Sequence, residues 1–348
     1  MNEFKKYPLQ DETLDKFKTC FDLNGSPKKT ENIKWQFLNN SEKNSIVHIA
    51  FDEENNRTAG IYALFCVKFK IKNKTYTATQ SLDTMTDVNY RGQGLFIKLA
   101  KDVYNKAEEK GISLVYGFPN GNSIYSFRKR LGWEVLDPVP FVIKPLRSRY
   151  FTDKISVLSF LPDFKLSFFS YKKNNKFQIK EENKFPDDVN TIWKNFSKNI
   201  NVAIHRDKAY LEWRYIQKPN ENYKISHCYD LNCQYLGFVI YTVKEKHNGK
   251  IAYIMELMYN LEEPKVGKLL LNYAIDRIKK EKADCILAWS FEHSPNHKIF
   301  KKQFFLKMPE KLKPIELHFG ARSFNKNLTN IINKRENWFI SYSDSDTV

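Results

Sequence analysis

The segment of this chain best suited to chemistry is Arg91-Gly92-Gln93-Gly94-Leu95-Phe96, in which two glycines flank a single residue. A glycine turn can aim several backbone N–H groups at one point. A helix leaving that turn adds its unpaired first-turn donors and the positive end of its dipole. Phosphate is the natural occupant. A nucleoside triphosphatase loop requires GxxxxGK[ST], whereas Gly94 is followed by Leu-Phe-Ile-Lys. A dinucleotide fingerprint requires a third glycine where Ile97 stands. Neither pattern fits.

The loop needs a strand before it and a helix after it. The spacing predicts a strand over Thr77–Thr86 and an amphipathic helix from Leu95 to Lys110, with Leu95, Leu99, Val103 and Ala107 on its apolar face and Gly111 as its stop. The apolar strand Ile112–Phe118 follows. Asp83 lies on the incoming strand, two positions from Met85 and so on the same face of a regular strand. A carboxylate there can act as a general base. Asp87, in the turn, is expected to be structural. His48, His227 and His293 sit in or beside strands and are expected to be satisfied structural groups.

The chain also repeats itself. Trp35-Gln36-Phe37-Leu38 is echoed by Trp213-Arg214-Tyr215-Ile216, 178 residues on. Strand-like stretches at 46–49 and 59–64 recur at 224–227 and 236–241. Further along, Phe127-Arg128-Lys129 is echoed by Phe300-Lys301-Lys302 at the shorter offset of 173. A duplicated module with a shorter central hairpin in its second copy accounts for the change. Residues 135–185, with strand-like stretches at 141–143, 157–160 and 166–169, are expected to finish the first copy. In the second copy the loop aligns with Pro264-Lys265-Val266-Gly267, which keeps only the last glycine, so one phosphate cradle is expected.

R-G-Q-G-L-F opening a helix after antiparallel strands resembles the pyrophosphate loop [Q/R]-x-x-G-x-[G/A] of the Gcn5-related N-acetyltransferase (GNAT) superfamily, with Arg91 and Gly94 matching. Asn122, Phe127, Leu131, Gly132 and Trp133 stand where that family carries its N…Y…LGF run. The resemblance covers residues 45–145 and extends to the second copy as a degenerate relative. Tyr210-Leu211-Glu212-Trp213-Arg214-Tyr215 with Pro219 is similar to acetyltransferases of bacterial surface-polysaccharide loci. The implied fold class is α/β (α+β): two tandem GNAT-like modules with mixed, mostly antiparallel sheets flanked by helices.

The resemblance implies acetyl-CoA or another short acyl-CoA as co-substrate, with no metal. Its pyrophosphate would lie on Arg91, Gly92, Gln93, Gly94, Leu95 and Phe96. Asn122 would face it or cap the next helix. The pantetheine would run beside Thr84, Met85 and Thr86. Asp83 becomes the candidate base. The family's tyrosine acid falls on Arg128, leaving Tyr125, one helical turn away, as its substitute. Phe96, where the family has a small residue, is expected to crowd the last donor. The implied reaction is direct acyl transfer to a small-molecule amine, an amino sugar or nucleotide-linked amino sugar among the choices. A Fem-type aminoacyl transferase and a non-catalytic acyl-CoA-binding protein are the alternatives.

At 348 residues the chain is about twice the usual domain length. The polar run Lys172-Lys173-Asn174-Asn175-Lys176 is the expected linker between an acyl-CoA-binding domain at 1–172 and an acceptor-shaping domain at 177–348. With 57 Lys and Arg against 40 Asp and Glu, the net charge of +17 draws anions. The lysines are dispersed, which argues against nucleic acid. No apolar run approaches the roughly 18 residues of a membrane span. Five cysteines without CxxC or zinc spacing predict reduced, mostly buried thiols and a cytoplasmic location. The ending Trp338–Asp346 is expected to be a closing strand with solvated acidic residues.

Overall fold

The computed structural model describes residues 4–148, 162–166, 171–246, 248–309, 313 and 315–348. The strands expected at 157–160 and 166–169 lie, apart from Leu166, outside them. No described helix is long and apolar enough to cross a membrane.

The strands in chain order are β1 (Lys5–Pro8), β2 (Ile46–Asp52), β3 (Arg57–Ile71), β4 (Lys74–Thr86), β5 (Leu114–Gly117), β6 (Glu134–Val135) and β7 (Phe141–Pro145). The second half supplies β8 (Phe177–Glu181), β9 (Val202–Ile204), β10 (Lys224–Asp230), β11 (Tyr235–Lys246), β12 (Gly249–Tyr259), β13 (Cys285–Trp289), β14 (Leu306–Lys307) and β15 (Gly320–Ser323). One sheet runs β1-β2-β3-β4-β5-β15-β6, with β9 also pairing on β3; the other runs β14-β7-β13-β12-β11-β10-β8. Only β4–β5 and β12–β13 are parallel among the paired strands of these sheets. The predicted hairpins are present, and the second, β11–β12, is indeed shorter than β3–β4.

Each half gives its last strand to the other. Strand β7 lies between β14 and β13 of the second sheet, pairing Phe141 with Trp289. Strand β15 lies between β5 and β6 of the first, pairing Gly320 with Gly117. Residues 141–145 therefore do not finish the first copy's sheet, as their position in the chain suggests, because their hydrogen-bond partners belong to the second. Strands from either side of the expected linker at 172–176 thus pair in the other side's sheet.

Alternation along β3 builds two cores at once. Tyr62, Leu64 and Cys66 face the helix Leu95–Glu109, where Leu99, Val103 and Ala107 are buried as the periodicity predicts. Gly60 lets that helix close on the sheet, since a Cβ there would stand 3.0 Å from the Leu95 side chain. Ile61, Ala63, Phe65 and Val67 face the other way, into a core continuous with the second sheet. Four cysteines, Cys20, Cys66, Cys228 and Cys285, are buried and Cys233 is exposed; none of the five is in a disulfide.

The repeated tryptophans meet in that shared core. Trp35 lies in the turns over Lys34–Leu38 that continue the helix Thr30–Ile33, and Trp213 in the helix Lys208–Tyr215. Their rings stack at 4.6 Å and 11°. Trp35 Nε1–H donates to the Trp213 carbonyl at 2.9 Å, and Trp213 Nε1–H returns the bond to the Trp35 carbonyl at 3.1 Å. The two halves are thus related by a pseudo-two-fold relation through this pair.

The ending departs from expectation. Residues 338–348 form no extended strand; they thread between the sheets with a short helical turn at Tyr342–Asp344. Asp344 is buried rather than solvated, because the fully buried Arg206 guanidinium bonds both its oxygens at 2.8 Å and also Glu256 Oε2 at 2.6 Å. Burial pushes the Asp344 carboxyl up to about 6 despite the pull of Arg206.

Trp213→Phe keeps an aromatic face but leaves the Trp35 carbonyl without its buried partner. We expect a loss of about 1–3 kcal/mol in urea unfolding, the cost of one unsatisfied buried polar group, with an unchanged slope against denaturant. An unaltered midpoint would refute this account of the pair.

Candidate active site

The glycine loop is held from both sides and open in the middle. Asp87 is buried at its start and accepts from the Asn89 amide at 2.9 Å, Arg57 Nη2 at 2.8 Å and Asn24 Nδ2 at 3.0 Å. Burial alone would raise its carboxyl pKa, but these donors more than offset that and hold it below the usual value. Asp87 is structural, as expected. Tyr90 Oη–H donates to Asp52 Oδ2 at 2.8 Å and fixes the next turn.

Gly92 and Gly94 have φ of +81° and +73°, which side chains rarely adopt. A Cβ on either would meet nothing within 4 Å. Conformation demands glycine here, and the space in front of the loop is free. The Gly94 carbonyl accepts from the Ile97 and Lys98 amides at 3.1 Å and starts the helix, whose first N–H groups are left facing outward. Phe96 does not crowd them. Its ring turns into the core against Tyr62 (5.6 Å) and Phe127 (5.5 Å). Gln93 and Arg91 are exposed, and Arg91 Nε lies 3.4 Å from the Thr86 carbonyl at the strand end.

Behind the loop the sheet parts. Parallel pairing of β4 with β5 ends at Ser81 and Gly117, yet β4 continues to Thr86, paired only with β3. The opposite edge of 82–86, which includes Thr84, Met85 and Thr86, therefore carries unpaired backbone groups that an extended ligand can satisfy. The register of β4 on β3 shifts between Ile61 and Ala63, and Asp83 there has φ of +50°. Through this bulge Leu82 and Met85, three residues apart, reach the same core, so simple alternation does not hold.

The bulge places the Asp83 carboxylate 2.6 Å from Lys28 Nζ and 3.4 Å from Gln36 Nε2. Its side chain is 8% exposed. Burial raises its pKa; Lys28 opposes that, and Asp346 nearby reinforces it. Lys28, Gln36 and Leu82 also line a cavity of about 400 Å³ between the two halves, whose other walls include Trp35, Trp213 and Lys218. The candidate base thus stands behind the wall of a cavity that begins where the sheet parts. Lys28 belongs to no sequence motif and Gln36 only to the repeated Trp35-Gln36-Phe37-Leu38 run; folding alone brings them to Asp83.

Two other sequence candidates stand on the helix that follows β5. On the helix Gly121–Arg130, Tyr125 is 65% exposed and Asn122 is exposed. Asn122 does not cap that helix. The cap is Asn120, whose Oδ1 accepts from the Ser123 amide at 3.1 Å. Two of the three histidines are satisfied structural groups, as expected: His227 bonds Tyr235 Oη (3.0 Å) and the Glu182 carbonyl (3.2 Å), and His293 bonds the Trp338 carbonyl at 2.8 Å. His48 departs from the expectation, its Nδ1 being buried without a hydrogen-bond partner.

The second copy has no equivalent opening. Gly267 is buried, and a Cβ on it would stand 2.5 Å from the Tyr259 ring, so it serves close packing. Strand β12 also outruns its pairing with β13, which ends at Tyr253 and Leu287. The ending of the chain fills that gap. Tyr342 stacks on Trp289 at 4.6 Å, and Ser341 and Ser343 donate to Glu256 Oε2 at 3.1 Å.

Comparison with known proteins agrees with this build. The acetyltransferase (GNAT) domain family matches residues 8–136. No curated protein matches the chain in sequence. Among solved structures, the N-myristoyltransferase of Saccharomyces cerevisiae with bound myristoyl-CoA is similar over 92% of this chain and 83% of its own, at 11% identity and a TM-score of 0.61. A GCN5-related N-acetyltransferase from Anabaena variabilis is similar over 93% and 73%, at 16% identity and 0.61. A tandem GNAT protein from the clavulanic acid biosynthesis pathway is similar over 93% and 99%, at 10% identity and 0.56. Residues 8–136 match the acetyltransferase (GNAT) domain family, and the chain as a whole has the fold of a tandem of two GNAT-like halves.

Proposed function

We propose that the protein transfers a short acyl group, acetyl foremost, from acyl-CoA to the amine of a small molecule such as an amino sugar. The observation that carries this reading is the adjacency of an open, positive-φ glycine turn and an unpaired strand edge leading to a cavity. A CoA thioester has a diphosphate, a β-strand-like pantetheine and a reactive end, in the same order. The myristoyl-CoA bound by the yeast neighbour supports the choice of donor.

In this reading the amides of residues 92–96 hold the pyrophosphate, with Arg91 beside it. The edge of Thr84, Met85 and Thr86 pairs with the pantetheine, and a backbone N–H there polarises the thioester carbonyl. The amine enters from the cavity and attacks the carbonyl carbon. Asp83 takes its proton, directly or through water, as the C–N bond forms. The C–S bond then breaks, and the departing thiolate is protonated by Tyr125. A base with a raised pKa is better matched to an ammonium than an ordinary carboxylate.

Glycine exchanges test the cradle. Gly94→Ala should cost about 1–2 kcal/mol of left-handed strain and weaken calorimetric CoA binding at least tenfold. Gly267→Ala should lower the melting temperature and leave CoA affinity unchanged. Equal CoA heats in Gly94→Ala and the parent would refute the cradle. CoA binding without thiol release over a broad amine panel would make the protein a non-catalytic binder.

The pH profile tests the base. Asp83 must be ionised to accept a proton, so kcat/KM should fall as pH drops through a midpoint above the ordinary aspartate value of about 3.9. Lys28→Met removes the cation that opposes the burial effect and should move that midpoint upward. Asp83→Asn should reduce kcat by about 10²–10⁴-fold with CoA affinity retained. An unshifted midpoint in Lys28→Met would argue against Asp83 as the titrating group.

A further inference from the structure

The cavity between the halves is lined by more positive side chains than its carboxylates can neutralise. Lys28 is answered by Asp83. On the second half's wall one carboxylate, Glu221, serves two lysines, at 2.7 Å from Lys244 Nζ and 3.9 Å from Lys218 Nζ. Lys246 Nζ donates to the Thr347 carbonyl at 2.9 Å, and Lys29 Nζ to Asn220 Oδ1 at 3.3 Å. Arg214, buried behind them, bonds only neutral oxygens: the Ser343 and Ser345 carbonyls at 3.2 and 3.0 Å and Tyr223 Oη at 3.0 Å. Asp346 and the terminal carboxylate of Val348, which Lys218 meets at 3.1 Å, are the remaining carboxylates on the lining. A surplus of cations stays.

That surplus is held where it is costly. The Lys218 side chain is 10% exposed, and its ammonium meets the Tyr223 hydroxyl at 3.2 Å and the Val348 oxygen at 3.1 Å. Burial drives its pKa well below the usual lysine value, with Arg214 adding to the effect and Glu221 opposing it. Cations gathered in a water-poor cleft are expensive unless an anion joins them, and their fields add within low-dielectric walls. The floor is aromatic: Lys218 Nζ lies 5.6 Å from the Trp35 ring centre, and both Trp35 and Phe65 line the space.

We propose that the acceptor is a small phosphorylated amine whose phosphate is held by Lys218, Lys244 and Lys246, with its carbon frame over Trp35 and its amine toward Asp83. Several converging cations suit the doubly charged tetrahedral group. The cavity's roughly 400 Å³ suits a monosaccharide phosphate. The phosphate also orients the substrate: its anchor on the second half's wall directs the amine across the cavity toward the strand edge. This assignment rests on the acyl-transfer reading above, but anion binding can be measured without turnover.

Matched probes decide it: glucosamine with glucosamine 6-phosphate, and ethanolamine with phosphoethanolamine, on the full chain. The phosphorylated member of each pair should bind at least tenfold more tightly by calorimetry, and inorganic phosphate should displace it. Lys246→Gln and Lys244→Gln should each remove at least tenfold of that preference while leaving glucosamine binding and CoA binding unchanged. Gly94→Ala should leave the preference intact, because the cradle is a separate phosphate site. Where acetyl transfer is seen, the lysine variants should raise KM for the phosphorylated amine with kcat retained. Equal affinity within both pairs would overturn the proposal. So would a preference that survives both lysine variants or is lost in Gly94→Ala. If no amine is acylated but the lysine-dependent preference holds, the acyl-transfer reading fails and the phosphate site stands.

Discussion

The structure turns on two indole rings that exchange hydrogen bonds across a pseudo-two-fold relation. Each Trp35 and Trp213 N–H ends on the other's main-chain carbonyl, so each ring is fixed relative to the other half's backbone as well as to its side chain. Stacked aromatic contact alone tolerates sliding; two reciprocal hydrogen bonds do not. The pair therefore sets the separation of the two helical segments that carry it. Those segments bound the interior cavity, with Gln36 on one and Arg214 on the other. The site's dimensions follow from this one contact more than from any loop.

Strand exchange makes the arrangement hard to undo. Because β7 sits inside the second sheet and β15 inside the first, neither sheet is complete without the other half's strand. Separating the halves would expose whole ladders of backbone groups, not just a polar interface. Symmetry then creates a problem of its own. A parting of parallel strands occurs in both copies, and an open, water-filled gap in each would weaken the shared core. The second gap is closed by the chain's last residues, secured by Tyr342 on Trp289 and by the Arg206, Glu256 and Asp344 ion cluster. That cluster is fully buried; Arg206 pairs with both carboxylates, and Ser341 and Ser343 add hydrogen bonds to Glu256 Oε2, while Glu256 Oε1 has no partner. One gap is filled from within, and the other stays open.

Much of this was legible in the residues, for a physical reason in each case. The glycine turn could be read because φ above zero is a property of single residues. The helix Leu95–Glu109 could be read because its period is local. The repeat could be read because duplicated modules keep aromatic residues in register, and Trp35 with Trp213 was its clearest sign. Strand exchange was not readable, since β7 and β15 have ordinary strand composition and nothing local names the sheet they join. Burial of the chain's ending was missed because a Ser- and Asp-rich segment looks solvated until Arg206 is placed against it. Phe96 was misjudged for a similar reason: sequence shows a bulky residue at a donor position but not that its ring turns away toward Tyr62.

The bulge in β4 joins the fold to the chemistry. A regular strand would continue its ladder on β3 without interruption and leave Asp83 to simple alternation. One extra residue opposite Tyr62 shifts the register, forces Asp83 to φ of +50°, and brings its carboxylate to Lys28 and Gln36. Backbone strain of about 1–3 kcal/mol at a non-glycine residue persists only when its surroundings over-determine it. Here they do: β3 pairs the strand on one side, and an ion pair holds the carboxylate. The same irregularity lies on the segment whose other edge has just lost β5. A single departure from strand geometry thus sets a buried carboxylate and a row of unpaired amides within a few residues of each other, at the entrance to a cavity that only both halves together can form.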